Sequence, residues 1–339
     1  MRGGESGPMR LGVPLLVALL LTGCGAPTGA VPGSSTSTAG TSSAAQAAAS
    51  RTATSSSAAA GVAASSSATP QVAASSSATP QVATSSSATA EAAASSRGAA
   101  TVPVVLGPGF GQPDDTVVAA DGTIYFSDFT GGRIGRLPAG GGDPATVAKG
   151  LGDPEGIVVL PDGSLAVAEQ ANNDIVRVDP STGATTRIAK LVNNTNLFGV
   201  DGLGWDPATK SLLVADPPNG RLLEIDPQTG TQRVLIPSGL GRPTDAMLLP
   251  SGGYGIVDET GNRVLLNGAT AAQLSQADDI VALGSTVYVN SLAGAIWEVA
   301  PQVRQVLGGL DNPQGLAAAP DGSLVIVEQG RNRLLRFWP

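Results

Sequence analysis

The sequence predicts an all-β fold, a six-bladed β-propeller of four-stranded blades that follows a disordered stalk. Three observations predict it. From Val102 onward, short runs of strand-forming residues alternate with Gly, Pro, Asn and Asp, and no helical period is present. A similar unit recurs six times in that stretch, starting near Asp114, Glu155, Asp201, Thr244, Asp278 and Gln314, at spacings of 34 to 46 residues. That is the length of one four-stranded blade. Residues 25–101, in contrast, are almost entirely Ala, Ser, Thr, Gly, Pro and Val, with only Arg51, Glu91 and Arg97 charged. Such a segment has too few large apolar side chains to offset the entropy of ordering its backbone.

The order of segments follows from the N-terminus. Arg2 and Arg10 precede an apolar run, Leu11 to Leu21, that ends in Leu21-Thr22-Gly23-Cys24. A positive start, a short apolar stretch and small residues at the end define an export signal. The run is about half of the roughly 20 residues that span a bilayer, so it is not read as a transmembrane helix. Leu-Thr-Gly-Cys resembles the bacterial lipobox, which implies cleavage before Cys24 and a lipid on its sulfur. The expected division is therefore a signal peptide over 1–23, a lipid-anchored stalk over 24–101 and the propeller over 102–339. The protein is expected outside the cytoplasm, facing the periplasm or the exterior, and to act as a monomer. Within the stalk, Ser-Ser-Ser-Ala-Thr-Pro-Gln-Val-Ala starts at Ser65 and again at Ser75. Ten residues without an aromatic or a leucine make a spacer, not a solenoid repeat.

Each unit of the globular part supplies an apolar inner strand, a turn, a second strand that ends in an acid or amide, and two further strands. Asp121-Gly122, Asp162-Gly163 and Asp321-Gly322 mark tight hairpins, because glycine accepts positive φ. The last unit stops after its third strand, at Phe337-Trp338-Pro339. Val102-Pro103-Val104-Val105-Leu106 resembles the missing fourth strand, as Val303-Arg304-Gln305-Val306-Leu307 precedes that unit. Strand 102–106 is therefore expected to complete the sixth blade and close the ring.

Composition removes several chemistries. The chain has 339 residues, a formal charge of −8 and no basic run, so a nucleic-acid partner is not expected. It has no histidine and one cysteine. Ser-His-Asp and Cys-His catalysis are excluded, as is any disulfide within the chain. A metal would have to be held by oxygens, which favours a divalent cation of the calcium type.

The units resemble the NHL-repeat and gluconolactonase (senescence-marker protein) superfamily of six-bladed propellers. The resemblance rests on Pro-Glu-Gly-Ile at 154–157, Asp-Gly-Leu at 201–203, Pro-Gln-Gly-Leu at 313–316 and a recurrent acid five residues before an arginine. It covers 102–339. In the lactonase branch, acids and asparagines heading the inner strands hold a divalent cation and an aspartate is the base. The resemblance implies Glu155, Asp201 and Asp114 as cation ligands, with Asp245 or Asp278 as base. Two departures matter. Glu155 and Asp201 lie in adjacent blades, whereas the family's glutamate and asparagine ligands are farther apart. Thr244 takes the slot of the family's catalytic aspartate, which Asp245 recovers only by a one-residue slip.

Two rings of polar residues are the candidate sites. Asp114, Glu155, Asp201, Thr244, Asp278 and Gln314 head the inner strands and should converge on one channel mouth. Four carboxylates crowded there need a cation, protons or loop amides. Alternatively, each caps its own loop. The second ring is Asp128, Glu169, Asp216, Asp258, Asn290 and Glu328. Four of these have an arginine five residues later, which suits turn-stabilising pairs. Glu169 and Asn290 lack that partner and are the expected ligand-binding members, together with Thr244 and Gln314. The connection from Leu191 to Gly199, with Asn193, Asn194, Asn196 and Phe198, reads as a long loop or a lid over the mouth. Tyr125, Tyr254, Tyr288, Trp205 and Trp297 read as packing. Two functions stay open: a surface module that binds a small molecule, glycan or protein, and a divalent-cation-dependent lactonase or esterase.

Overall fold

A computed structural model describes residues 102–193 and 198–339. The segments read as an export signal and a stalk, with Cys24, and also Asn194 and Asn196, lie outside the described residues. The rest is six four-stranded antiparallel sheets. Blade one is β2 (Pro113–Val118), β3 (Ile124–Asp128), β4 (Arg133–Leu137) and β5 (Ala145–Lys149); blade two is β6 (Pro154–Val159), β7 (Leu165–Glu169), β8 (Asp174–Val178) and β9 (Thr185–Lys190). Blade three is β10 (Leu203–Asp206), β11 (Ser211–Asp216), β12 (Arg221–Ile225) and β13 (Gln232–Ile236). Blade four is β14 (Pro243–Leu248), β15 (Tyr254–Asp258), β16 (Arg263–Leu266) and β17 (Ala269–Gln273). Blade five is β18 (Ala277–Leu283), β19 (Thr286–Ser291), β20 (Ala295–Ala300) and β21 (Arg304–Gly308). Blade six is β22 (Pro313–Ala318), β23 (Leu324–Glu328) and β24 (Arg333–Phe337), completed by β1 (Val104–Pro108).

The turns follow the chemistry of their residues. Gly122, Gly163 and Gly322 sit at φ near +80°, and the preceding aspartate of each accepts a hydrogen bond from the amide two residues on. The core is divided by the same repetition. Six apolar clusters fill the six blade-to-blade interfaces, one cluster to each. Ile134 with Leu165 and Val178 joins blades one and two, and Tyr288 with Leu324 and Phe337 joins blades five and six. All five aromatic residues assigned to packing lie in or against these clusters. A fan of sheets has no single centre to bury, so its stability is spread over these wedges.

Closure runs as the unit pattern predicts, with shifted bounds. β1 pairs antiparallel with β24, Val104 opposite Arg336 and Pro108 opposite Arg333, with a bulge between Val105 and Gly107. The strand starts at Val104, not Val102, and runs two residues further. Pro103, which precedes it, has no N–H for a ladder bond. Leu106 is buried in the cluster between blades six and one, and its carbonyl accepts from the Gly142 amide at 2.8 Å.

The second ring fastens blades internally. Arg133, Arg221, Arg263 and Arg333 pair with Asp128, Asp216, Asp258 and Glu328 at 2.5–2.8 Å, and all four acids are fully buried. Three of them and Glu169 also accept backbone amides from the loop that enters their blade: Gln112, Gly241, Asp311 and Gly152 respectively for Asp128, Asp258, Glu328 and Glu169. The acid thus ties the incoming loop to the hairpin.

Candidate ligand site at the channel mouth

Four of the six inner strands begin with proline, at 113, 154, 243 and 313. Proline is tolerated at a strand's first residue because its missing N–H falls outside the ladder. The next residue is then the one nearest the channel mouth. Asp114, Glu155, Thr244 and Gln314 follow those prolines, Asp278 is second in β18, and Asp201 stands two residues ahead of β10. All six line one cavity of about 20 Å³, room for a water molecule or a bare ion.

A second layer lies one residue further along each strand: Asp115, Gly156, Gly202, Asp245, Asp279 and Gly315. The glycines are required by contact. A Cβ on Gly156 would stand 2.7 Å from the Asp201 carbonyl, and one on Gly202 2.3 Å from Asp245 Oδ1. The aspartates bridge blades. Asp115 Oδ2 accepts from the Ile157 amide at 2.8 Å, Asp245 Oδ2 from Ile280 at 3.2 Å and Asp279 Oδ2 from Leu316 at 2.6 Å. Asp245 therefore sits below the mouth ring, while Thr244 occupies the ring and donates its hydroxyl to the Asp278 carbonyl at 2.6 Å.

One cation enters this acid cluster. The Arg242 guanidinium donates to Asp201 Oδ2 at 2.9 Å and also pairs with Glu259. Phe198 lies over it, 4.9 Å from ring centroid to guanidinium carbon, and is 58% exposed. Gln170 donates to Glu155 at 2.5 Å and Gln329 to Asp114 at 3.0 Å.

Burial dominates the electrostatics. It pushes Asp114 up to about 7, helped by the charge of Asp201 and opposed by Gln329 and Arg242. Burial likewise takes Asp245 up to about 7. Glu155 and Asp278 rise well above the carboxylate range through burial and then the charge of Asp201; Asp115 and Asp279 do so through burial and then a neighbouring aspartate. Burial raises Asp201 as well, opposed by a hydrogen bond with Glu155 and by Arg242. Glu155 and Asp201 are thus hydrogen-bonded to each other at the centre of the acid cluster.

Two expectations need correction. Asn290 is not free for a ligand. It is fully buried, accepts from the Asp279 amide at 2.6 Å and donates to the carbonyls of Pro313 and Gln314. Glu169 is buried too and holds the Gly152 amide at 2.7 Å, facing an outer depression with Asp174, Arg187 and Lys190 instead of the mouth. A ring position without an arginine partner is not a vacant one, because backbone amides fill the role. The residues that the sequence reading passed over are Asp115, Asp279 and Arg242. The doublets Asp114-Asp115 and Asp278-Asp279 were the signal for the first two; Arg242 lies just before the proline of its strand, where side-chain direction is not visible in sequence.

The oxygen donors suit a hard cation, and the cavity would admit one. The arrangement does not. Among the described residues no group of three or more acids stands in ligating geometry. Asp201 is already committed to Arg242 and Glu155.

Several solved structures share this arrangement of blades. A gluconolactonase from Xanthomonas campestris matches with a TM-score of 0.57 at 14% identity, over 69% of this chain and 89% of that one. The PQQ-bound aldose sugar dehydrogenase of Streptomyces coelicolor gives 0.58 at 15%, over 68% and 95%. A streptogramin B lyase gives 0.51 at 12%, over 69% and 96%. The fold is a six-bladed β-propeller. No family profile and no curated protein sequence matches the chain. At these identities the propeller is shared as an architecture, and its chemistry has to be argued from its own mouth.

Proposed function

We propose that this propeller is a binding module for a small, hydroxyl-rich ligand, of sugar type, whose ring lies over the acidic mouth while the small cavity between the acids admits a single hydroxyl. One observation carries the reading: hydrogen-bonding side chains from all six blades, four acids with Thr244 and Gln314, meet at one opening, and Arg242 reaches one of those acids, Asp201. A hydroxyl needs one donor and one acceptor at once, and a proton-sharing pair such as Glu155 and Asp201 offers both. Phe198, exposed above Arg242, supplies an apolar face of the kind that the C–H side of a sugar ring covers. Two of the proteins with this architecture are named for sugar-derived substrates.

In this reading residues 1–23 act as an export signal and Cys24 carries a lipid, so that the module is held outside the cytoplasm at the end of the Ser/Ala stalk. Labelling with a radioactive fatty acid tests that part: Cys24→Ser should abolish label, and a labelled Cys24→Ser chain would refute the anchor. For the mouth, calorimetric titration of the full chain with a panel of aldoses, aldonates and short glycans should give saturable binding that Glu155→Gln weakens at least tenfold. Equal binding by Glu155→Gln, or none by any member, would reject the site.

A second reading, lactone or ester hydrolysis, is favoured by Asp114 and Asp245, which sit near 7 where a general acid or base works best. Histidine chemistry is not open to it. A histidine-to-alanine variant of the virginiamycin B lyase from Staphylococcus aureus is catalytically inactive, and this chain has no histidine. Aldonolactone hydrolysis by the full chain, with and without calcium, separates hydrolase from binder: turnover abolished by Asp114→Asn supports the enzyme, and none in either condition excludes it.

A further inference from the structure

In five of the six blades the residue that follows the second strand is held in the same way. The amides of Phe129, Gln170, Glu259, Leu292 and Gln329 donate to the carbonyls of Gln112, Asp153, Arg242, Gln276 and Asn312, in that order, at 2.9–3.1 Å. Each acceptor stands just ahead of an inner strand, so the five side chains start from equivalent places beside the mouth. All five are half-buried. Three of them reach the mouth: Gln170 donates to Glu155 at 2.5 Å, Gln329 donates to Asp114 at 3.0 Å, and Glu259 pairs with Arg242. The surroundings fix which way the Gln329 carboxamide is turned. Its Oε1 accepts from Asn312 Nδ2 at 2.9 Å, from Gln112 Nε2 at 3.3 Å and from Gln314 Nε2 at 3.5 Å. Turned over, it would set its own N–H groups against these donors and its oxygen against Asp114. A carboxamide nitrogen carries two N–H groups, of which Asp114 takes one from Gln329 and Glu155 one from Gln170. Among the described residues the second N–H of each glutamine, and Oε1 of Gln170, have no partner.

We propose that Gln170 and Gln329 set the ligand specificity of the mouth and select a neutral sugar over the corresponding sugar acid, a step that rests on the sugar-binding reading above. A ring lying over the mouth meets these side chains at its edge, where its outward hydroxyls are. A carboxamide is uncharged and presents both donor and acceptor groups, as a hydroxyl requires. A carboxylate in the same place would give up water for neutral amides, a loss that only a cation offsets. Arg242 is the one basic residue bonded to the mouth acids among the described residues, and its guanidinium is already held by Asp201 and Glu259. Its charge is thus taken up within the protein, and the rim receives a sugar acid with neutral groups alone.

The test titrates the full chain calorimetrically with matched pairs of probes: glucose against glucuronate, galactose against galacturonate and mannose against mannuronate. The members of a pair share one ring and differ at one carbon, which bears a hydroxyl or is a carboxylate. The neutral member should bind more tightly by about tenfold or more. Gln329→Lys puts a cation at the rim and should reverse that order; Gln170→Lys serves the same purpose should the first variant fail to melt cooperatively. Carboxyl-carbon NMR without ligand reads the contact itself: Gln329→Leu removes the donor to Asp114 and should move the titration of that acid above about 7. Equal affinity within the pairs, an order that the lysine variants leave unchanged, or an unmoved Asp114 would each overturn the specificity assignment while leaving the mouth a sugar site. No saturable binding by either member of any pair would overturn the specificity and the sugar reading together.

Discussion

Asp115 of the first blade accepts the Ile157 amide of the second at 2.8 Å, so that a carboxylate in one sheet supplies the acceptor that the edge of its neighbour lacks. Asp245 and Asp279 repeat the device between later blades. An inner strand has a free edge, and free edges of a sheet have to be met by something. Here they are met by acids, which makes the centre of the molecule both a fastening and an electrostatic liability.

Burial raises the folded-state values of these acids above their unfolded ones. Groups of that kind add stability at low pH and lose it as pH climbs from their unfolded value toward the folded one. For Asp114 and Asp245 the window runs from 3.8 to about 7. The exposed turn acids Asp179 and Asp226 are shifted down by backbone and side-chain hydrogen bonds, and their contribution disappears only below 3.8. The melting temperature should therefore fall from pH 5 to pH 8. Asp245→Asn should flatten that slope and melt higher than the unaltered chain at pH 8. A melting temperature that rises over this range would contradict the assignment.

The glycines between the aspartates are set by space. A Cβ on Gly156 would meet the Asp201 carbonyl, the Leu203 amide nitrogen and the Gly202 Cα within 2.8 Å, all of them backbone. Gly156→Ala should cost about 1–3 kcal/mol or more, as overpacking does. Gly163, at φ +82° with nothing near its Cβ, should lose about 1 kcal/mol on the same change, from backbone conformation alone. Chemical denaturation of both variants gives the comparison; equal losses would mean that the blades do not approach as closely as described.

Buried and exposed acids should differ sharply as anchors. Asp258 is fully buried and accepts from the Gly241 and Arg242 amides and from Arg263. Asp258→Ala leaves those donors without a partner and should cost about 3–5 kcal/mol. Asp162 pairs with Arg177 at 2.6 Å, but its side chain is 56% exposed. Asp162→Ala should cost no more than about 1 kcal/mol. Urea titration of the two variants decides it, and similar midpoints would refute the loop-fastening role of the second ring.

Much of this architecture was legible because the repeat unit carries its own punctuation. Asp162-Gly163 and Asp321-Gly322 mark equivalent turns, and the incomplete final unit requires a strand from elsewhere, which Val104–Pro108 supplies. The mouth was legible in part. Register along each strand follows from the period of two, so Asp114, Glu155, Asp201 and Asp278 could be placed together in advance. What a side chain does there could not. Asn290 and Glu169 differ from the other ring members in having no arginine five residues on, and sequence does not show that backbone carbonyls stand ready for the Asn290 amide. Arg242 reaches Asp201 across 41 residues of chain, a contact made by two blades meeting and by no local pattern.

Closure by β1 has a direct consequence. A chain lacking residues 102–108 leaves β24 as an open edge and removes Leu106 from the cluster between blades six and one. Burying such a leucine is worth about 1.5–3 kcal/mol before any ladder bond is counted. At roughly 2–4 °C per kcal/mol for a domain of this size, the melting temperature should drop by about 10 °C. An unchanged melt would show that the ring closes without β1.

Carboxyl-carbon NMR of the full chain, labelled at aspartate and glutamate and followed from pH 3 to 9, reads the buried acids themselves. The arrangement predicts two populations: turn acids such as Asp179 and Asp226 titrating below 3.8, and Asp114 and Asp245 titrating near 7, each assigned by its asparagine variant. A single population, with every carboxyl ionised by pH 5, would mean that the mouth acids are solvated and apart, and that six strands do not bring them to one place.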